Sequence, residues 1–178
     1  MRYRIAAVAV ALLLPLLGGC AGPDSATSPL TLSSTKVTVQ LLRNSAGSLI
    51  PEEAIKFRES DSDESRSCSD DENSPVRAWK ASVRFIIEAE FAAQSEQIAS
   101  EIVNEYESNG WQSDKTVNGD TTTWAMQSDT ILATLLVSAV GDPDGNGKGA
   151  TIYVASTGPC VTTDGPDSTE VRELENRP

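Results

Sequence analysis

The chain has 178 residues, of which 26 are acidic and 14 are basic, and it contains no histidine. A net charge of −12 argues against a nucleic-acid partner, because there is no basic stripe to neutralise phosphates. The missing histidine excludes Ser-His-Asp and Cys-His catalysis, as well as zinc sites that need a histidine ligand.

The chain begins with a segment typical of a secretory signal. Two arginines precede an uninterrupted apolar stretch, residues 5–17, which is too short to span a bilayer. Leu17-Gly18-Gly19-Cys20 follows and resembles the lipobox of bacterial lipoproteins. The resemblance implies that residues 1–19 are a lipoprotein signal peptide and that Cys20 carries a diacylglyceryl thioether. The alternatives, an ordinary leader and an uncleaved anchor helix, also place the domain outside the cytoplasm.

The mature protein would be held at the extracytoplasmic face of the cell membrane by its lipid. Removing the leader removes two arginines and no acid, so the net charge becomes −14 and electrostatic adhesion to anionic lipid is disfavoured. Two acyl chains anchor a protein stably where one is marginal. Residues 20–34, the lipidated cysteine and a small, polar, proline-containing stretch, are predicted to form a flexible tether.

Residues 35–50 fit either a helix or an extended segment. Val37, Leu41 and Leu49 fit one face of a helix, which Ser33 or Ser34 would cap, whereas Val37-Thr38-Val39 alternates like a strand. We favour a short helix that ends before Pro51.

The next segment, residues 59–74, is predicted to be a charged polar loop that contains Cys68. Its carboxylates between residues 61 and 72 suit either loose cation binding or, as we favour, simple solvation. Once Cys20 is lipidated, Cys68 and Cys160 remain, and an even pair in an exported protein predicts a disulfide. The alternative is a reactive free thiol, although no histidine is present to lower a thiol pKa.

The clearest periodic patterns follow this loop. Residues 80–91 alternate apolar and polar side chains, which predicts a strand with one buried face. Residues 93–108 carry an apolar stripe at helical spacing, and Asn109-Gly110 is a helix stop suited to a left-handed glycine. Trp111 is expected to fold back onto the end of this helix.

Three more strands are predicted in the second half. They cover residues 121–126, 130–140 and 150–157, and the nearly all-apolar middle run is expected to be the central strand. The order predicts an α+β fold: a single antiparallel sheet of about four strands, with one main crossover helix and a short N-terminal helix on one face. The globular domain is assigned to residues 35–162, and residues 163–178 to a disordered acidic tail.

This arrangement is similar to that of a broad group of small actinobacterial lipoproteins of unknown function. The residues that carry the resemblance are Cys20, Cys68, Gly110-Trp111 and Gly158-Pro159-Cys160. The resemblance covers about residues 30–162 and implies a location and a fold, with no catalytic residues to carry over.

Two segments are candidate sites. Asp142, Asp144 and Asn146, followed by a glycine, match the opening of an EF-hand calcium loop, but position 12 is Tyr153 instead of glutamate. A hairpin loop built of turn-forming residues is the preferred interpretation. Trp79 is the candidate for an exposed aromatic at a partner site, while Trp111 and Trp124 are expected to pack in the core.

The sequence therefore predicts a non-enzymatic, membrane-anchored binding module that needs no cofactor. It would hold a protein, peptidoglycan or small-molecule partner on the exposed sheet face or in a groove between sheet and helix. The alternative is an envelope hydrolase that uses paired carboxylates or Ser–Lys chemistry. A further alternative is weak divalent-cation binding by loop 142–147.

Overall fold

The computed structural model describes residues 30–141 and 149–176 of the chain, and at residues 60 and 61 it describes the backbone only. Cys20, the tether as far as residue 29, and Asp142, Asp144 and Asn146 lie outside the described residues. Lipidation and calcium binding at these positions therefore stay predictions. Within the described ranges, no helix is both long and apolar enough to cross a membrane.

Seven strands and three α-helices make up the described fold, with two short 3₁₀ turns at Glu52–Ala54 and Ala89–Gln94. In chain order they are α1 (Leu32–Gly47), β1 (Ile55–Ser67), β2 (Val76–Ile87), α2 (Ser95–Ser108), β3 (Gln112–Asn118), β4 (Thr121–Gln127), β5 (Thr134–Val140), β6 (Thr151–Thr157), β7 (Val161–Thr162) and α3 (Thr169–Leu174). The strands form one sheet in the order β1-β2-β6-β5-β4-β3, with β7 beside β2. Every described pair is antiparallel. The α+β class with a single antiparallel sheet is thus confirmed.

The expected number of about four strands was wrong because both edge strands have polar sequences. β1 contains most of the stretch predicted as a loop, yet it pairs with β2 from Ile55 opposite Ile87 to Ser67 opposite Arg77. β3 pairs with β4 along its whole length, and most of its side chains are exposed. Backbone ladders do not need apolar side chains, and charged residues on an edge strand disfavour edge-to-edge association.

The N-terminal helix begins earlier than predicted and presents a different face to the core. Thr31 is its N-cap, with its side chain accepting a 3.2 Å hydrogen bond from the amide of Ser34, so the helix takes in the last residues assigned to the tether. The apolar side chains it buries are Leu32, Val39, Leu42 and Ala46. The three residues expected on its apolar face, Val37, Leu41 and Leu49, are all exposed. Val37 and Leu41 thus form a second apolar side of α1 that the core does not use, and Leu49 follows the end of the helix.

The second helix ends as the sequence predicts. Asn109 is its C-cap, and Gly110 adopts a φ of +84°, a conformation that side-chain-bearing residues rarely take. The Trp111 amide then donates a 3.2 Å hydrogen bond to the Tyr106 carbonyl, which turns the chain back over the helix end. Trp111 is buried there, as expected.

The C-terminal segment contains a helix instead of the disordered tail expected for residues 163–178. α3 is capped by Ser168 and buries Val171 completely, and its end reaches the Nζ of Lys36 through the carbonyl of Leu174. Glu175 accepts a 2.8 Å hydrogen bond from the backbone amide of Ser65. Val171 and Leu174 are the apolar residues of this six-residue helix and give little periodic signal, but Val171 fills a place in the core and Leu174 packs against it.

All three helices lie on the same face of the sheet. α1 packs mainly on β2 and β6, and α2 packs mainly on β5. Core side chains from the three central strands on this face include Trp79, Val83, Phe85, Leu135, Val137, Ile152 and Val154. The predicted disulfide between Cys68 and Cys160 is present, with Cα atoms 6.2 Å apart, and links the end of β1 to the residue before β7.

Candidate functional site

Trp79, the candidate for an exposed partner site, is fully buried. It lies within β2 on the helix-covered face, opposite Ser65 of the edge strand. Its indole N–H donates a hydrogen bond to Asp63, and the Nζ of Lys36 lies 4.6 Å from its ring centroid. The expectation of an exposed aromatic was wrong because β2 begins at Val76, before Trp79, and not at residue 80 as predicted. Arg77, on the same face of β2, is also buried and hydrogen-bonded.

The opposite face of the sheet is open to solvent in the described region, but it is built mainly from small polar groups. Hydroxyl pairs bridge neighbouring strands, with Ser62 to Ser82 at 2.6 Å and Thr123 to Ser138 at 2.6 Å. Arg84 at one end of this face forms a 3.0 Å ion pair with Glu59. These six side chains therefore pair with one another across neighbouring strands.

An apolar groove runs along α1 on the helix-covered side and is the strongest candidate site. It consists of two adjoining depressions of about 380 Å³ and 300 Å³ that share Ile131. The larger is lined by Leu41, Leu42, Ser45, Leu49, Glu105, Tyr106, Asn109, Trp111 and Ile131. The smaller is lined by Leu30, Thr35, Thr38, Thr130, Ile131, Leu132, Ala133, Gly158 and Pro159. We call the two together the α1 groove.

The aromatic side of the α1 groove is rigid. Tyr106 and Trp111 pack edge to face, and the Tyr106 hydroxyl donates a 3.3 Å hydrogen bond to the carbonyl of Leu42 in α1. Burial raises the pKa of the Tyr106 phenol above its ordinary value, an effect partly countered by a hydrogen bond with Ser45. The phenol is therefore neutral at physiological pH and serves as packing and a hydrogen-bond donor.

The other side of the groove comes from a segment predicted as strand. The run at residues 130–140 was expected to be extended throughout, but β5 begins only at Thr134. Before it, the Ser128 hydroxyl accepts a 3.2 Å hydrogen bond from the Thr130 amide, and the turn that follows brings Ile131 into the groove. Leu132 is left 67% exposed. The apolar run therefore serves two purposes, first groove wall and then core strand.

The α1 groove is nearly free of charge in a strongly acidic protein. Charged residues make up 22% of the chain, yet Glu105 is the one charged residue among the described residues that line the groove. Exposed apolar side chains form part of its lining, including Leu41 at 65% and Leu132 at 67% exposure. A contiguous exposed apolar patch is a mark of an interaction site.

A smaller depression of about 240 Å³ lies at the far end of α1 and is lined by Arg43 and Arg58. Arg58 stacks over Phe85, with 5.3 Å between its guanidinium carbon and the ring centroid, and Arg43 is buried and donates to Asn44. Both guanidinium groups thus have structural roles. In the described part of the chain, no group of three or more His, Cys, Asp or Glu side chains is arranged to hold a metal.

Sequence reasoning named one part of the groove without recognising it. Leu41 and Leu49 were assigned to one face of the N-terminal helix, and Ile131 and Leu132 were assigned to a strand over residues 130–140. The signal that would have identified the groove is an α1 sequence apolar on two sides, because a surface helix needs only one apolar stripe for its core contacts. Comparison with protein-family models, with curated proteins and with solved structures finds no match to this chain.

Proposed function

We propose that this protein is an extracytoplasmic lipoprotein, anchored through Cys20, whose domain is a non-catalytic binding module with the α1 groove as its ligand site. The anchor is supported by the lipobox-like sequence that ends at Cys20. The observation that carries the binding site is the coincidence of apolar lining, exposed leucines and near absence of charge in one groove.

The shape of the α1 groove suits an elongated apolar ligand better than a polar one. Its two depressions have sizes typical of small-molecule sites, and they follow one another along the helix instead of forming one deep pocket. Several of the polar side chains at its walls already hydrogen-bond within the described chain, namely those of Thr35, Thr38, Asn109 and Thr130. The other polar side chains that line it are those of Ser45, Glu105 and Tyr106. Binding by such a surface would depend on burial of apolar area, worth about 25 cal/mol per Å² before the costs of association.

The anchor is tested by replacing Cys20. The Cys20→Ser variant is expected to leave the membrane fraction and to lose incorporation of a labelled fatty acid, because the thioether has no sulfur to form on. A matched control, Ser25→Ala, changes the stretch after the lipobox and should leave both properties unchanged. Membrane retention of Cys20→Ser at the wild-type level would refute the anchor.

The site is tested separately from the anchor. Leu41→Asp places a charge at the edge of the groove, and Val117→Asp does the same at the edge strand β3, where the side chain is 62% exposed. Both variants should fold, since neither residue is buried. Each variant is expressed in a strain that lacks the protein. If the groove binds the ligand, Val117→Asp restores the wild-type phenotype and Leu41→Asp does not.

A further inference from the structure

We infer that the α1 groove takes an acyl chain of the membrane phospholipids on which the protein is anchored. This inference rests on the proposed lipoprotein function, and it names the chemistry of the ligand. Three properties of the groove support it: its length, its near absence of charge, and its position relative to Cys20.

The length of the groove matches the hydrocarbon of one membrane leaflet. Thr35, Thr38, Leu42 and Ser45 line it in succession along α1. Thr35 and Ser45 are ten residues apart, which in an α-helix is about 15 Å. The hydrocarbon core of a bilayer is about 30 Å thick, so one leaflet contributes about 15 Å.

The near absence of charge in the groove disfavours other elongated ligands. A peptide or glycan would bring polar groups that need hydrogen-bond partners, because a buried polar group without a partner costs about 1–3 kcal/mol. The wall made by Ile131, Leu132 and Pro159 has no polar side chain. The threonine hydroxyls that line the smaller depression already hydrogen-bond within the described chain. A single carboxylate, Glu105, stands at one end and would disfavour burial of an anionic headgroup there, so an acyl chain with its polar head outside the groove is the fitting ligand.

The groove lies close in sequence to the proposed lipid anchor. Leu30, which lines the smaller depression, is ten residues after Cys20. A flexible chain of ten residues, as the sequence predicts for this tether, has a root-mean-square span of about 17 Å and a maximum of about 35 Å. Anchoring at Cys20 therefore keeps the groove within reach of the lipid surface at a high effective concentration.

Trp111 provides a reporter for the test because it lines the groove, whereas Trp79 and Trp124 do not. Full-length lipidated protein is reconstituted into phosphatidylcholine vesicles whose acyl chains carry bromine, which quenches tryptophan emission at contact. Wild type is expected to lose about one third of its emission relative to vesicles without bromine, since Trp111 is one of three tryptophans. The loss should disappear in Trp111→Phe and Leu41→Asp and persist in Val117→Asp.

Flotation of the same vesicles separates the two proposals. Protein that floats with the vesicles without quenching overturns the acyl-chain inference and leaves the anchor standing. Protein that fails to float overturns the anchor. In that case, quenching of Trp111 by the added vesicles would still support acyl-chain binding in the groove, and no quenching would contradict it. A blue shift of Trp111 emission without quenching would mean that the anchor's own unlabelled chains fill the groove, which contradicts binding of bilayer lipid. Leu132→Asp repeats the test should Leu41→Asp lose its native circular dichroism.

Discussion

The rings of Tyr106 and Trp111 meet edge to face, with centroids 5.3 Å apart and an angle of 88° between their planes. The pair joins the last turn of α2 to the residue that follows the Gly110 turn, and the Tyr106 hydroxyl extends the contact to α1. Such a pair contributes about 0.5–1.5 kcal/mol beyond its buried area. It fixes the aromatic wall of the α1 groove, which Tyr106 and Trp111 both line.

Tyr106 is expected to make the stability of the domain fall at alkaline pH. Because its pKa is raised in the folded state, the folded protein holds the phenolic proton more tightly than the unfolded chain does. This contribution is complete below the unfolded pKa of about 10 and is lost as pH rises through the higher folded value. The free energy of unfolding should therefore fall above pH 10 in wild type and fall less steeply in Tyr106→Phe. Equal slopes would argue against a buried phenol.

Gly158 allows α1 to approach the sheet closely. A Cβ at this position would lie 3.1 Å from Thr35 Cβ and 3.2 Å from Val39 Cγ2, and both neighbours are β-branched side chains with little rotational freedom in a helix. Gly158→Ala should lower the free energy of unfolding by about 1–3 kcal/mol. Gly149→Ala is the control, because a Cβ there meets no heavy atom within 4 Å. Denaturant unfolding of both variants checks this, and equal stability of the two would refute the close approach.

The disulfide between Cys68 and Cys160 should contribute strongly to stability. The two cysteines are 92 residues apart in sequence, and closing a loop of that length stabilises by about 4–5 kcal/mol on the chain-entropy model. Reducing agent should lower the melting temperature of wild type and have no effect on the Cys68→Ser/Cys160→Ser double variant. Detection of two free thiols in the native domain would contradict the bond.

Asp63 is expected to be the most sensitive acidic residue of β1. Its carboxylate accepts hydrogen bonds from the Trp79 indole and from the amide of Gln40. Asp63→Ala leaves the indole of the buried Trp79 without its acceptor, at a cost of about 1–3 kcal/mol. It also removes the partner of the half-buried Gln40 amide. Glu64→Ala, on the other face of the same strand, removes only a surface ion pair with Arg66 and should cost about 0–1 kcal/mol. Thermal unfolding distinguishes them, and similar losses would show that the Asp63 network contributes little.

The parts of the fold that the sequence predicts are those with one buried face. β2, α2, β4 and β6 each alternate or repeat with the period of their own structure, and the Gly110 turn has a local steric cause. The edge strands β1 and β3 could not be recognised, because their pairing is carried by backbone groups while their side chains are mostly polar. Periodicity also fails for Trp79, since its neighbours Arg77 and Lys80 obscure the buried face of the strand.

The α1 groove could not be predicted because its surface depends on how elements meet. An apolar stripe on α1 does not indicate which side of the helix faces the sheet. The helical periodicity favoured Leu41 and Leu49, which are exposed, over Leu42, which is buried. Ile131 reaches the groove only because the chain turns before β5 begins. In both cases the residues were visible as apolar, and tertiary packing decided what they contact.

The most direct test of the account places a photocrosslinker at position 41 of the lipoprotein in its native membrane. The same group at position 117 is the matched control, since Leu41 and Val117 are exposed to almost the same extent, 65% and 62%. Position 136, where Leu136 lies on the open face of the sheet, tests the competing surface. The account predicts adducts with the mass of phospholipid from position 41 and none from 117 or 136. Adducts from position 136 with none from position 41 would contradict it.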